Sequence, residues 1–436
     1  MKSKVSKAIY QTVNSDLPQT YIQGSKTKSL YSVSHMLSHL AEPEDFDKDD
    51  RCWMYPSRIA DEHQAEFSVF VDELMEESQG KRKEPHLSAY RHHLEQLLLN
   101  LTQALFQNKW LLVSQDEAAF RGDQQYIAAG WQYRTMKAAL KYLEADGLIY
   151  LRIGKMYTDQ PLRTRIFPTP ALSPYLYPFL FGAEQVFEGP YVVVNRPSEM
   201  WLQINGAAEL MEEAELAKIN NFLKDHDWGA KAPVRLVYNT DPFHGGRLYT
   251  PYQNLPSRKI DIRKHTLIDG EPLCEVDFSA NQLRLQLAVL HGEDAGDDPY
   301  ENIAMRSRIF DREKIKAFIV RAIGSDSRHK AEGSCRKLGI SVNEFNTLEA
   351  ATWALYPILN LFTDWTHQGQ SLEDKILKKV MLKGIDDGIV CLPVHDAVAV
   401  QQKHQFWAIK TMMRLWTEAV GCNVKPRLKV DKPSKN

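Results

Sequence analysis

The chain has 436 residues, of which 43% are hydrophobic and 25% charged, and its formal net charge is −2. That balance suits a packed protein of two or more domains, and it excludes a collagen-like or wholly disordered chain. With charge so near neutral, any contact with nucleic acid must come from local basic patches. No apolar run reaches the roughly eighteen residues of a membrane span. Five scattered cysteines, with no Cys-x-x-Cys pair, point to a reducing, cytoplasmic setting rather than a zinc ribbon.

In chain order, residues 1–84 read as a weakly patterned arm. Its start carries Lys2, Lys4 and Lys7 without a following apolar core, so no secretory signal is expected. An acidic run, Glu42 to Asp50, reads as a solvated face, and Lys81-Arg82-Lys83-Glu84-Pro85 as a linker. From 85 to 172 the pattern sharpens. Met136, Ala139, Leu140 and Leu143 recur at helical spacing, while Arg134, Lys137 and Lys141 fall on another stripe. Gly147 is a natural C-terminal cap, and two β-like runs follow, Leu148–Ile153 and Thr164–Phe167. A basic helix before a hairpin resembles the recognition helix and wing of a winged helix, which makes Arg134, Lys137 and Lys141 candidate DNA contacts. The competing reading is a small α+β domain whose lysines only solubilise it.

Beyond 173 the composition is mixed α/β. Tyr191–Val194 and Val234–Tyr238 are β-rich, and Gly245-Gly246-Arg247 reads as turn-rich. Pro272–Ser279 reads as a strand ending in Asp277, followed by a helix from Asn281 to Leu290 with Leu283, Leu287 and Leu290 on one side. An acid rigidly held at a strand end is a hard oxygen ligand of the kind magnesium takes. Such an Asp more often caps the next helix; here Ser279 is better placed to cap, which leaves Asp277 for other work.

Asp311 to Gly324 is helical in pattern, with Arg312 and Lys316 four apart on one face and Val320 and Gly324 continuing it. A guanidinium and an ammonium on one turn suit the outer phosphates of a nucleotide, although such pairs are commonly plain surface charge. Gly388 to Val400 then reads as two apolar β-runs meeting at His395-Asp396. A buried polar turn of this kind must bind something or be well hydrogen-bonded. The two acids lie 119 residues apart (396 − 277). On adjacent strands they could bracket a pair of metal ions for in-line phosphoryl displacement.

The order of these features resembles family A DNA polymerases. Asp277-Phe278-Ser279-Ala280-Asn281-Gln282-Leu283-Arg284 is similar to that family's Asp-Tyr-Ser-Gln-Ile-Glu-Leu-Arg motif. Arg312, Lys316 and Phe318-Ile319 resemble its fingers helix, and Val394-His395-Asp396 its Val-His-Asp-Glu turn. The resemblance covers roughly Arg235 to Val430, including a helix from Trp407 to Ala419 and a last strand, Arg427 to Val430. It implies that Asp277, Asp396 and the Phe278 carbonyl bind two Mg²⁺ ions (with Mn²⁺ an acceptable substitute). It also implies that Arg312 and Lys316 hold the triphosphate, that Lys316 protonates pyrophosphate, and that His395 lies near the primer end. The departures are Gln282 for the motif glutamate, Val320 and Gly324 for two aromatics, and Ala397 for the acid after Asp396. Changes at Gln282 and Gly324 would weaken rejection of a ribose 2′-hydroxyl.

The expected fold is therefore α+β: a right-hand palm and fingers core over 173–436, fingers at about 298–385, behind a winged-helix-like domain at 85–172. The resemblance is to short, exonuclease-less forms found in mobile elements and phages, with primase activity one implied use. Expected partners are DNA template and primer, nucleoside triphosphates, and a replicative helicase or small accessory protein. The alternatives are a winged-helix replication initiator or regulator with an inactive polymerase-like half, and a single-subunit RNA polymerase.

Overall fold

The computed structural model describes residues 51–78, 84–122, 126, 129–154, 164–180, 182–186, 190–194, 207–228, 233–241, 244–255, 257 and 263–433. The basic start, the acidic run, most of the linker and the connection 155–163 lie outside them. The chain is mixed α+β with small sheets and divides into two units. One comprises Met1–Glu188, Trp228–Ala232 and Asn254–Gly270; the other comprises Gly189–Asp227, Pro233–Gln253 and Glu271–Asn436.

The first unit is organised by α2 (His86–Gln107), which follows β1 (Arg51–Trp53), β2 (Ser57–Ile59) and α1 (Gln64–Ser78). Leu94, Leu97, Leu98, Leu101 and Leu105 bury one side of α2 completely. Two amides on the same helix are also buried, and both are satisfied by backbone. Gln96 accepts from Ser57 N at 2.9 Å and donates to Ser57 O at 2.7 Å. Asn100 pairs with Tyr55 N and O in the same way, both at 2.8 Å. Buried amides that meet all their partners specify a register as well as a contact, so these two lock the 55–57 segment onto α2.

Further along are β3 (Trp110–Leu112), α3 (Glu117–Gly122), α4 (Tyr133–Ala145), β4 (Ile149–Arg152), β5 (Arg165–Pro168) and β6 (Ala183–Gln185). One sheet has the order β1-β3-β5-β4, and β2 pairs with β6. The apolar spacing foreseen on α4 is realised: Met136, Ala139, Leu140 and Leu143 are buried. Arg134, Lys137 and Lys141 are exposed, with Lys137 resting over the Tyr133 ring at 5.5 Å.

In the second unit, β7 (Val192–Val194), β8 (Arg235–Asp241) and β9 (His244–Tyr249) form one sheet. Gly245, Gly246 and Arg247 therefore lie in a strand and not in the turn expected from the glycines. Gly246, at φ +117°, needs to be glycine because a Cβ would meet the Tyr238 ring at 2.9 Å. The second sheet joins β10 (Glu271–Phe278), β11 (Leu392–Val394), β12 (Ala397–Gln401) and β13 (Leu428–Asp431), with β10 central between β13 and β12.

The helices of this unit are α5 (Ala207–Lys224), α6 (Asn281–His291), α7 (Pro299–Ser307), α8 (Arg312–Gly324), α9 (Arg328–Lys337), α10 (Val342–Leu355), α11 (Thr366–Asp386) and α12 (Gln405–Val420). Asp298 caps α7, Asp311 caps α8, and Ser341 with Glu344 makes a capping box on α10, each satisfying otherwise orphaned backbone N–H groups. Neither Asp277 nor Ser279 caps α6. The N-cap is Ala280 at φ +52°, and no side chain bonds there. Ser279 lies one residue too early, and its carbonyl instead accepts from Arg284 Nε at 2.9 Å. Leu283 and Leu287 are buried as expected, but Leu290 at the far end is 41% exposed. Lys378 on α11 bridges Glu212 (3.1 Å) and Glu215 (2.8 Å) on α5, and Tyr238 OH donates to Glu212, so a half-buried ion cluster ties the two helices.

The two faces of α4 should separate in a urea titration. Leu143→Ala is expected to lower stability by about 2–5 kcal/mol, and Lys137→Ala by no more than about 0.5 kcal/mol.

Candidate active site

β10 owes its strand character to the buried run Leu273, Cys274, Glu275 and Val276, and it delivers Asp277 one residue before its end. It pairs antiparallel with β12 in a register that sets Asp277 opposite Ala397. β11 and β12 close through Val394 opposite Ala397, leaving His395 and Asp396 as a two-residue turn. Asp396 thus stands one residue from the partner of Asp277. His395 takes φ +54° at this turn, a left-handed conformation that glycine adopts without strain and histidine does not.

The electrostatics of the pair follow from that register. Asp277 Oδ2 is held by Lys429 Nζ at 2.9 Å, and Lys429 lies opposite Asp277 on β13. Asp277 Oδ1 is buried and has no hydrogen-bond partner among the described residues. Burial, and then the neighbouring Asp277 carboxylate, push Asp396 up to about 7, against the downward pull of Lys316 and Lys429. A third acid lies alongside: Glu373 on α11 is raised to about 8 by burial and by Asp396. It accepts from Asn281 Nδ2 at 2.8 Å. Confronted carboxylates with an unsatisfied buried oxygen form a site that a hard cation would relieve. The donor set at Asp277 and Asp396 therefore fits magnesium, which takes one or two protein carboxylates.

Helix α8 buries Ile315, Phe318, Ile319, Ala322 and Ile323 and turns Arg312, Lys316 and Val320 outward. Lys316 bears electrostatically on Asp396. Arg312 pairs with Asp298 Oδ2 at 2.8 Å and sits over the Tyr300 ring at 5.3 Å. Gly324, the last residue of α8, has no room for a side chain: a Cβ would meet Thr366 Oγ1 at 2.8 Å. Gln282 lies against α11, where a Cβ on Gly369 would meet its Oε1 at 2.2 Å. Phe278 pairs with Leu428 and is buried. Asp277, Asp396 and Lys316 are thus brought together, with Gln282 beside Glu373. Arg134, Lys137 and Lys141 belong to the other unit.

Three residues of this site escaped the sequence. Lys429 becomes visible only once β13 is paired with β10. Glu373 needs the orientation of α11, although the adjacent acids Glu373 and Asp374 in a lysine-rich helix were a signal. Tyr300, buried under Arg312, also feels the charge of Asp396. Arg284 is 2% exposed; it donates to the carbonyls of Gly296 (2.8 Å) and Asp297 (2.7 Å), which fixes the loop after α6.

A carboxyl raised on folding binds its proton more tightly in the native state. Its contribution to stability is therefore present below the ordinary carboxylate range and is lost as pH rises through about 7. In chelator-containing buffer, Asp396→Asn should gain stability relative to the unsubstituted protein between pH 5 and pH 8. Urea midpoints at the two pH values check this, and a constant difference would contradict it.

No family model matches this chain, and no curated protein matches it. Among solved structures, one similar chain is the POL domain of Pol1 from M. smegmatis, in complex with DNA primer-template and dNTP. The identity is 14%, the match covers 85% of this chain and 71% of that chain, and the TM-score is 0.35. By itself that degree of likeness assigns neither fold nor activity to this chain.

Proposed function

We propose that this protein is a template-directed nucleotidyltransferase with a family A-like palm and fingers core. It adds nucleoside monophosphates from NTP or dNTP to a 3′-hydroxyl. The observation that carries the reading is the confrontation of Asp277 and Asp396, with one Asp277 oxygen unpartnered and Lys316 close enough to act on Asp396. Two bound Mg²⁺ ions would supply the acidity of the primer hydroxyl and the charge neutralisation at pyrophosphate. Asp277 and Asp396, with the Phe278 carbonyl, would hold them.

The remaining roles belong to the chain itself. Lys316 and Arg312, on the exposed face of α8, hold the triphosphate electrostatically. As the 3′-hydroxyl gives its proton to solvent, its oxygen bonds to the α-phosphorus, the bond to the β-phosphate oxygen breaks, and Lys316 donates a proton to the departing pyrophosphate. In the free protein Asp298 occupies Arg312, so the arginine must exchange one anionic partner for another. His395, at the turn beside Asp396, faces the primer end. Gln282, Val320 and Gly324 shape the sugar and base pocket. With no bulky aromatic at Gly324 and no charge at Gln282, ribonucleotides are accepted, which suits primer synthesis.

The α4 helix and the β4–β5 hairpin, with β3 pairing to β5, support a winged-helix reading of the first unit. Arg134, Lys137 and Lys141 would then contact DNA, α4 presenting their charges on its open face.

The test is Mg²⁺-dependent incorporation of labelled NTPs and dNTPs on single-stranded DNA, with and without a primer. Asp277→Ala and Asp396→Ala are each expected to reduce it by roughly 10²–10³-fold or more, and Lys316→Ala to act mainly on kcat. Product without a primer assigns primase activity. Incorporation that survives both aspartate substitutions would reject the proposal, and a winged-helix initiator with an inactive second half would show none from the outset.

A further inference from the structure

Helix α9 presents a face that the fold itself does not use. Five of its ten residues are basic, and its buried side consists of Ala331 and Cys335. Ser327 caps its first turn. Arg328 ties it to α10, bonding Glu349 at 2.7 Å and resting over the Phe345 ring at 5.1 Å. Ion pairs also occupy the acids in and just before the helix: Glu332 with Arg328 at 3.1 Å, and Asp326 with Lys330 at 2.6 Å.

The side opposite Ala331 and Cys335 carries His329, Gly333, Arg336 and Lys337, brought together by helical spacing. The three basic residues are exposed, and none has a side-chain hydrogen bond or ion pair among the described residues. Gly333 is the informative member. A glycine inside a helix weakens it relative to alanine. At other helical glycines the packing gives a reason. A Cβ at Gly324, Gly369 or Gly384 would strike a neighbour at 2.8, 2.2 or 2.6 Å. At Gly333 a Cβ would meet nothing within 4 Å, and no left-handed φ calls for glycine. Packing within the chain therefore does not explain Gly333, whereas the close approach of a ligand would.

The chemistry of the face says what approaches. Arginine, lysine and imidazole surround the glycine, and no apolar side chain stands among them. A protein interface is built round aromatic or aliphatic anchors, and this face offers none. A polynucleotide backbone asks for cations at its phosphate oxygens, and a bare stretch of helix lets the sugar-phosphate chain lie close. We propose that α9 is a nucleic-acid contact separate from α4, taking the phosphodiester backbone of a strand across Gly333, between His329, Arg336 and Lys337. The choice of a polynucleotide as ligand rests on the nucleotidyltransferase reading.

The experiment is fluorescence anisotropy of the full chain with labelled single-stranded DNA and with duplex DNA of equal length, without nucleotide or divalent cation. The background carries Arg134→Gln, Lys137→Gln and Lys141→Gln, which removes the contacts proposed for α4. In it, Arg336→Gln combined with Lys337→Gln should weaken binding roughly tenfold and flatten the dependence of log affinity on log salt by about one to two. Gly333→Ala should also weaken binding, with the melting temperature unchanged or raised. The surface control Arg414→Gln should change neither quantity. A loss confined to one form of DNA assigns the site to that form. Affinity within about twofold of the background in either α9 variant would overturn the inference. So would a background chain that binds neither DNA, or a loss that appears only with a lower melting temperature. If α9 variants lose binding but the parent incorporates no nucleotide, the nucleotidyltransferase reading fails and this site stands. Mg²⁺-dependent incorporation without any loss in the α9 variants refutes this site alone.

Discussion

The register between β10 and β12 is the constraint on which the rest of the site depends. Because Asp277 faces Ala397, the turn residue Asp396 must stand beside it, and two carboxylates are held together by backbone hydrogen bonds that neither can escape. A slip of one residue would send Asp277 to the opposite face of the sheet and dissolve the site. The run Leu273–Val276 and the buried β12 make such a slip expensive, since every apolar side chain would change faces with it. The fold thus spends part of its hydrophobic stabilisation on holding like charges together.

Several features then read as responses to that confrontation. Lys429 reaches across from β13 to one oxygen of Asp277, and the other has no partner among the described residues. Lys316 stands on the exposed face of α8 and bears electrostatically on Asp396, and its helix is capped at Asp311 and anchored by Phe318 against Phe345, with ring centroids 5.1 Å apart. The result is a centre whose negative charge is only partly neutralised, with one Asp277 oxygen on Lys429 and the other unpartnered among the described residues. A structural ion pair would satisfy all of its oxygens, and this one does not among the described residues.

Much of this was legible in the chain. The strand ending at Asp277, the helix carrying Arg312 and Lys316, and the hairpin at His395-Asp396 all showed in apolar spacing, because each buries one face and exposes the other. What spacing cannot show is who pairs with whom. Lys429 sits in a short final strand, and its partner Asp277 is 152 residues away (429 − 277). Glu373 depends on how α11 lies against the start of α6, where Asn281 Nδ2 donates to it at 2.8 Å. Gly245 to Arg247 looked like a turn because glycine favours turns, yet there it admits Tyr238 into a strand pair. The segment 51–59 lacked a pattern because two amides on α2 dock it by backbone hydrogen bonds, and these have no hydrophobic period.

The central claim is that Asp277 and Asp396 jointly hold a divalent cation. Its most direct measurement is anomalous scattering from crystals soaked in Mn²⁺. An anomalous peak is expected between the two carboxylates, and it should disappear in Asp277→Asn crystals. Well-ordered carboxylates with no peak between them, or an Mn²⁺ peak only elsewhere on the molecule, would contradict it.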